Sequence, residues 1–360
     1  MVGTRHPWRH AGALLGLIVV AGLPVFVASP GAPSNAFVNE LSRREGFSAS
    51  DFRARDGGEA VVKSLDTPVR REVAHFGIVY IEATPGRFIE RFDDIERFER
   101  GPGVPQIGRF SVPPRLEDLA SLTMPPQDVT ALAMCHPGDC DVKLSAAAIA
   151  QFQKRVNWSS PGASREADVV TREMILAIVR AYEANGDAAL GSYADAAEPL
   201  PAADQFRALL TNRHPLPVAV PELMAYLETY PRGRPAGAED FFYWSVVDFG
   251  LKPTVRVNHV IIYPLAGRPS GVSHVIAIKQ IYASHYFHST LELRFLVDAA
   301  PATDHVGFYL LSITRSRIDG TSGLSGSLLR SVVNRRSRQG VRHYLEHLKE
   351  QVERADAAHS

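Results

Sequence analysis

The last third of the chain constrains the fold most, because it repeats one pattern three times and then changes to another. Three segments after residue 252 alternate in residue type, and one set of alternate positions is almost wholly apolar. The members of this set are Val255, Val257, His259, Ile261 and Tyr263, then Leu291, Leu293, Phe295 and Val297, then Tyr309, Leu311 and Ile313. A period of two is typical of antiparallel strands with one buried face. A Gly- and Ser-rich stretch at 319–327 then precedes a long amphipathic helix, whose packing side is predicted to carry Leu345, Leu348 and Val352.

A sheet of this kind must cover its apolar face, and the terminal helix is the nearest element along the chain that can do so. The pattern therefore predicts an α+β fold, in which a curved antiparallel sheet is gripped by a long C-terminal helix. A curved sheet closed by one helix leaves room beneath it. We expect a cavity between the apolar strand faces and the helix.

The composition allows an ordinary globular protein and gives no signal for a polyanionic partner. The chain has 360 residues, enough for one elaborated domain or two smaller ones. Lys and Arg number 39, as do Asp and Glu, so the formal net charge is zero. No nucleic-acid partner is expected from such a balance.

The N-terminus has the order of zones found in secretory signal peptides. Arg5 and Arg9 precede an apolar run at 11–28, and small residues follow. Residues 1–36 are therefore predicted to be a signal peptide, with retention as an N-terminal anchor through 11–28 as the alternative. Either interpretation predicts an exported protein, periplasmic or extracellular.

Two cysteines, Cys135 and Cys140, flank a Pro-Gly turn. The turn would bring the thiols together, and an oxidising compartment would preserve a disulfide between them. Two free thiols in a reducing cytosol are the alternative. A zinc site with His136 fits poorly, because the spacing does not match the usual zinc pairs. No metal is expected.

The middle of the chain has a helical character. Helices are predicted at 145–156, 168–184, 203–210 and 221–230, the second with Asp168 as its N-cap. We interpret residues 37–355 as a single domain that carries a helical insertion at about 145–235. A small separate domain is the alternative.

Four contiguous aromatic residues at 241–244 follow the insertion. They are predicted to surround a helix buried between two layers, and a ligand gate or a membrane-touching lip is the other interpretation.

Several stretches of the chain resemble a known superfamily. They are VAHFGIVYIEATPGRFIERFDDIERF at 73–98, LELRFLVDAA at 291–300, GFYLLSITRSRIDG at 307–320 and LLRSVVNRRSRQGVRHYLEHLKEQVE at 328–353. Together they resemble the START-like, helix-grip superfamily of polyketide cyclases and lipid-transport proteins. The resemblance implies a hydrophobic tunnel between sheet and helix, suited to lipids, sterols or aromatic metabolites. It does not choose between carriers and enzymes, because the superfamily contains both.

Polar residues near the predicted tunnel are the candidate ligand-binding residues. His259 lies on an apolar strand face, residues 279–289 are dense in Tyr and His, and Arg315 could meet a carboxylate or phosphate at the end of a strand. The full set is His259, Tyr263, Tyr282, His285, Tyr286 and Arg315. The alternatives are a hydrogen-bonded core histidine, cross-strand aromatic pairs and a solvated arginine. If 279–289 is one strand, His285 and His288 point to opposite faces and make a poor metal pair.

The terminal helix carries two further patterns. Residues 343–347 match the H-x-x-E-H pattern of some zinc proteases, but no later helix follows to supply a third ligand, so we interpret the match as chance. Arg335, Arg338 and Arg342 form a stripe suited to peripheral contact with an anionic membrane, or simply to a solvated helix face.

No nucleophile elbow, P-loop or dinucleotide fingerprint occurs in the sequence, and no cofactor is expected. The leading hypothesis is an exported, non-catalytic carrier of a hydrophobic small molecule or lipid. One alternative is an enzyme of the cyclase or aromatase type on an aromatic or polyketide-like substrate, with His259, Tyr282 or His285 as acid or base. The other is a structural envelope protein whose central helices bind a partner through an exposed apolar patch.

Overall fold

The structure is a computed structural model, and it describes residues 34–210, 215–248, 250–265, 271–299, 307–319 and 323–356. Most of the predicted leader, residues 1–33, lies outside the described residues. Within the part that is described, no helix combines the length and the apolar character of a membrane-spanning segment.

Ten strands form in the described residues. They are β1 (Val61–Leu65), β2 (Glu72–Ile81), β3 (Gln106–Arg109), β4 (Ser192–Tyr193), β5 (Leu200–Pro201), β6 (Glu239–Val247), β7 (Thr254–Pro264), β8 (Val272–Ala283), β9 (Phe287–Asp298) and β10 (Phe308–Ile318).

Eleven α-helices accompany these strands in the same described ranges. They are α1 (Ser34–Arg44), α2 (Ala49–Asp56), α3 (Pro85–Asp93), α4 (Ile95–Glu99), α5 (Pro126–Leu132), α6 (Ala146–Arg155), α7 (Ala163–Asn185), α8 (Ala202–Leu210), α9 (Pro215–Val218), α10 (Pro221–Thr229) and α11 (Gly323–Asp356).

Eight of the strands build one antiparallel sheet in the order β1-β2-β10-β9-β8-β7-β6-β3, and β4 and β5 pair separately. The 34-residue helix α11 packs on β1 and β2. The predicted α+β class, with a large antiparallel sheet, a long C-terminal helix and central helices, is confirmed.

The helical insertion leaves the sheet after β3 and returns to it at β6, and these two strands are hydrogen-bonded neighbours. Its first helical turn is a 3₁₀ segment at Leu116–Leu119, so the helical stretch begins earlier than the predicted residue 145. The long helix α7 also begins earlier than expected. Asp168 lies inside α7 and is not its N-cap; its Oδ1 accepts a hydrogen bond from the Met124 amide at 2.8 Å.

The sheet has two differently covered faces. The insertion face packs against α7, α8 and α10 in one large hydrophobic core, through residues such as Ile175, Phe206 and Leu227. This core includes the apolar alternate positions of β7, β9 and β10 that the sequence had identified. The parity of those strands was therefore predicted correctly, but their partner was wrong, because the insertion covers this face.

The opposite face, which we call the cavity face, is partly covered by α11. Leu345, Leu348 and Val352 of α11 are fully buried there, in a core shared with α3 and α4. Gly77 of β2 allows the close contact, since a Cβ atom at this position would lie 2.6 Å from Leu345 Cδ1. The expectation that these three residues form the packing side of the helix fits the structure.

Two local predictions were wrong. The aromatic residues 241–244 belong to strand β6, where Phe241 and Tyr243 face one core and Phe242 and Trp244 face the other. Burial between two layers was correct, but it follows from a central strand that is covered on both faces. Residues 279–289 are not one strand: β8 ends at Ala283, and Tyr286 turns the chain with φ of 59° before β9.

The disulfide between Cys135 and Cys140 is present and closes a short loop. His136 and Asp139 pair their backbones across the intervening turn, and Gly138 adopts φ of +94° there. This conformation favours glycine, as the Pro-Gly signal predicts.

Candidate functional site

Helix α11 does not rest on the whole cavity face. Beside its contact with β1 and β2 it leaves a cavity of about 630 Å³, whose floor is formed mainly by β6 to β10. The walls are α11 itself and the loop at 101–104 that follows α4. A cavity of this size lies in the range of small-molecule sites.

Hydrogen-bonding side chains cross the cavity floor in one row. The strand register pairs Tyr243 with Asn258 and Asn258 with Gln280. It then pairs Gln280 with Thr290 and Thr290 with Ser316. Directly paired residues point to the same face, with Cβ atoms roughly 5 Å apart. The five side chains therefore form a polar row from β6 to β10 beneath α11.

A buried charge cluster lies beside this row. Arg294 donates to both carboxylate oxygens of Glu292, at 2.7 and 3.2 Å. It also donates to the Tyr344 hydroxyl of α11 at 2.7 Å, and that hydroxyl donates in turn to Glu99 at the end of α4. The second oxygen of Glu99 lies 3.5 Å from Arg256 Nη2. The cluster joins the sheet, α4 and α11 through two arginines, two glutamates and a phenol.

The protonation states within the cluster follow from burial and pairing. Burial opposes ionisation of Glu292, but the Arg294 guanidinium outweighs it and lowers the pKa of Glu292 below its ordinary value. Burial likewise disfavours charge on Arg294, yet the neighbouring Glu292 carboxylate raises the pKa of Arg294 well above its ordinary value. Burial raises the pKa of Tyr344 and of Tyr243, so both phenols remain protonated.

Five buried polar atoms around the cavity have no hydrogen-bond partner in the described structure. They are His75 Nε2, Glu99 Oε2, Asn258 Nδ2, Gln280 Nε2 and Arg294 Nη1. A buried donor or acceptor without a partner costs about 1–3 kcal/mol. Buried polar groups are usually satisfied, and these five surround one cavity. A molecule that offers oxygen acceptors to the four nitrogens would recover much of this cost.

His75 of β2 lies at the edge of the cavity, opposite Thr314 of β10. Burial, with a smaller effect from the Arg338 charge, lowers the pKa of His75 to about 4. The imidazole is therefore neutral at pH 7, and Nε2 offers the cavity an uncharged hydrogen-bonding group.

Exposed residues form the mouth of the cavity. Arg336 and His343 of α11, Gly103 and Gly250 border it from the solvent side. Gly340 also borders the cavity, one helical turn from Arg336, and a Cβ atom built there meets no other atom within 4 Å. A side chain at this position would have open space to enter.

The six candidate residues from the sequence do not border this cavity, because they lie on the insertion face or at strand ends. His259 is fully buried, with Nε2 3.4 Å from Asp240 Oδ2 and Nδ1 3.4 Å from the Tyr182 hydroxyl. The Tyr230 and Phe242 rings pack against it, at 4.3 and 4.7 Å between centroids. Burial lowers the pKa of His259, despite the Asp240 carboxylate. It is a core histidine, the alternative interpretation.

The aromatic and histidine residues around the β8–β9 turn serve mainly to hold segments together. His285 Nε2 and Asp128 Oδ1 are 2.8 Å apart and both buried, which ties α5 to the turn. The Tyr286 hydroxyl accepts from the Lys252 amide at 2.9 Å. Tyr282 is buried within the core of the insertion face. None of these three side chains reaches the cavity.

The two remaining candidates are also placed elsewhere. Tyr263 belongs to the core of the insertion face. Arg315 pairs with the buried Glu72, and burial lowers the pKa of Arg315 to about 10. Arg315 does not border the large cavity, since it lies on the same side of β10 as the apolar residues.

The two histidines of the H-x-x-E-H pattern differ in environment. His343 is exposed, whereas His347 Nε2 lies 3.3 Å from the Phe98 carbonyl oxygen. Among the described residues, no group of three or more His, Cys, Asp or Glu side chains is arranged to hold a metal ion. In the central range 145–230, the large hydrophobic side chains described as exposed are Val169 and Val218.

The cavity residues include polar alternate positions of strands that were predicted to have one buried face. Arg256 and Asn258 alternate with the apolar residues of β7, and Glu292 and Arg294 with those of β9. One signal could have identified them. The chain contains two helical elements that can pack on one sheet, the insertion and α11. If each packs on a different face, both faces are buried, and the polar alternate positions lie inside the protein.

The chain matches no protein-family model, no curated protein and no solved structure. The sheet and its terminal helix are observed, whereas membership of the START-like superfamily stays a prediction from the sequence.

Proposed function

We propose that the protein binds and carries a small amphipathic organic molecule, of the lipid or aromatic-metabolite class, between β6–β10 and α11. The observation that carries the proposal is the cavity of about 630 Å³ whose polar floor contains buried atoms without hydrogen-bond partners. The expected lining is revised, because polar side chains form much of this floor, where apolar strand faces were expected.

The chemistry of the lining supports an amphipathic ligand. Apolar side chains line other parts of the cavity, among them Val104, Val247, Ile278, Phe287 and Val341. Binding sites for small molecules commonly combine an apolar wall with a few polar groups that fix orientation. An apolar body against these residues and a polar group at the Asn258–Gln280 row would satisfy both parts.

Action outside the reducing cytosol, in the periplasm or extracellular space, is part of the same proposal. The order of zones at the N-terminus and the disulfide of Cys135 and Cys140 support it. The exposed Arg335 and Arg338 on α11 support peripheral contact with an anionic membrane.

Native mass spectrometry of the full chain purified from its own host tests the proposal. We expect one bound organic molecule per chain, released by organic solvent. The emptied protein should then bind the fluorescent probe N-phenyl-1-naphthylamine at a single site. A protein that carries no molecule and binds no probe would contradict the proposed function.

Two matched substitutions locate the bound molecule. Gly340→Phe places a ring beside the cavity and should weaken probe binding at least about tenfold, because the ring competes for the same volume. Gly86→Phe is the control. Gly86 is exposed on α3 and does not border the cavity, and a Cβ there meets only Thr84 Oγ1, at 4.0 Å. Equal probe binding by both variants would place the probe elsewhere.

A further inference from the structure

The charges around the cavity are balanced. Among the described residues that border it, the arginines are Arg256, Arg294 and Arg336, and the carboxylates are Glu99, Asp248 and Glu292. His75 adds no charge at neutral pH. Apart from His343 and His347, the described lining therefore carries three positive and three negative side chains, with both signs in the interior and at the mouth.

Each charged side chain in the interior of the cavity lies next to a side chain of opposite charge. Arg294 is 1% exposed and holds Glu292 through two hydrogen bonds, and Arg256 lies next to Glu99. Arg294 Nη1 and Glu99 Oε2 still lack a hydrogen-bond partner among the described residues. An anion beside Arg294 would nevertheless also lie beside the Glu292 and Glu99 carboxylates, and a cation beside Glu99 would also lie beside Arg256 and Arg294. Burying a charge without an opposite charge to compensate it is costly.

The groups that do remain open are mostly uncharged. Asn258 Nδ2, Gln280 Nε2 and His75 Nε2 have no hydrogen-bond partner, and the first two belong to directly paired residues on neighbouring strands. Neutral amide and imidazole groups suit hydroxyl, carbonyl and amide functions, to which they can donate without any charge being buried.

We infer that the ligand enters the cavity with an uncharged head group, such as a hydroxyl, carbonyl or amide. Asn258 and Gln280 form hydrogen bonds with this group. A ligand with a carboxylate, sulfate or phosphate head group is not accepted. This inference rests on the proposed function and narrows its ligand class to neutral amphiphiles, such as alcohols, ketones or amides with an apolar body. Fatty-acid anions and phospholipid head groups are excluded from the floor of the cavity.

Two fluorescent probes with one skeleton test the inference. N-phenyl-1-naphthylamine is neutral, and 8-anilinonaphthalene-1-sulfonate adds a single sulfonate to the same ring system. Cavity binding is defined as the part of the signal that Gly340→Phe removes and Gly86→Phe retains. We expect the neutral probe to bind in the cavity at least about tenfold more tightly than the sulfonate.

A charge variant gives a second measurement. Glu99→Gln keeps an acceptor for the Tyr344 hydroxyl but frees the Arg256 charge, so sulfonate affinity should rise on the order of tenfold. Neutral-probe affinity should stay within about threefold, since little charge is involved. Glu96→Gln, on the same helix but exposed and away from the cavity, is the matched control and should change neither affinity.

The outcomes separate the two proposals. Cavity binding of the sulfonate as tight as that of the neutral probe would overturn the inference and leave the proposed function standing. Cavity binding of neither probe would contradict the proposed function, and the inference with it. The comparison of the two probes needs only Gly340→Phe and Gly86→Phe to be stable, and the folding of both is checked by circular dichroism.

Discussion

The buried charge cluster makes a quantitative prediction about stability, through replacement of Arg294 by methionine. The side chain of Arg294 is 1% exposed, and it donates twice to Glu292 and once to Tyr344. Its removal leaves the Glu292 carboxylate without its ion-pair partner. Breaking a buried pair in this way typically costs about 3–5 kcal/mol. We expect the free energy of unfolding of Arg294→Met to fall by about that amount.

Removal of both partners should cost much less. In Arg294→Met combined with Glu292→Leu, no unpaired charge remains at the pair, and Glu99 keeps its contact with Arg256. Apolar replacement of a buried ion pair is often neutral or stabilising. We expect the double variant to recover at least about 2 kcal/mol relative to Arg294→Met.

Urea unfolding followed by far-UV circular dichroism measures these differences, with the m-value as a check that the unfolding transition is unchanged. Arg342→Met is the control, since Arg342 is half-exposed on α11 and pairs with Glu346 at 2.9 Å. It should cost less than about 1 kcal/mol. A cost of that size for Arg294→Met, or no recovery in the double variant, would refute the assignment of a buried, coupled pair.

Three further predictions concern the dependence of stability on pH, the disulfide, and the packing of α11 on β2. Because burial lowers the pKa of His75 from 6.5 to about 4, the unfolded chain takes up a proton first as pH falls. Stability should therefore drop by about 3 kcal/mol between pH 6.5 and 4, and His75→Gln should lack this part of the pH dependence in urea titrations. Replacing Cys135 and Cys140 by serine should cost about 2 kcal/mol or less, because the closed loop is short; a thermal melt of the oxidised and reduced protein checks it. Gly77→Val should cost at least about 1–3 kcal/mol, since its Cβ would meet Leu345 Cδ1 at 2.6 Å; unchanged stability would mean that α11 can shift freely.

Much of the secondary structure could be predicted from the sequence. The alternation along β7, β9 and β10, and the helical spacing of Leu345, Leu348 and Val352, are local patterns that record which residues share a side. The Pro-Gly turn between the cysteines is equally local. These features were predicted correctly because a few neighbouring residues suffice to specify them.

The errors came from positions where local patterns fit more than one environment. Four contiguous aromatic residues suit a buried helix as well as a central strand, and the pairing of β6 with β3 and β7 decides between them. The sequence pattern of residues 279–289 predicts one continuous strand, but the positive φ of Tyr286 ends the alternation there. Asp168 has the residue type of an N-cap, yet α7 starts five residues earlier, at Ala163.

By itself the sequence determined that β7, β9 and β10 alternate between a mainly apolar side and a more polar one, that a long helix follows them, and that the charges balance. Only the tertiary structure decided which cover lies on which side. The insertion, formed by residues distant in the chain, packs on one face, and α11 packs on the other face, which carries both a second apolar core and the polar row. The alternation of residue types along a strand shows that the two sides of the strand differ. It does not show which element packs on each side, because that depends on contacts between distant segments. For this reason Arg256, Asn258, Gln280 and Arg294 border the cavity, and the residues with the opposite parity form the core.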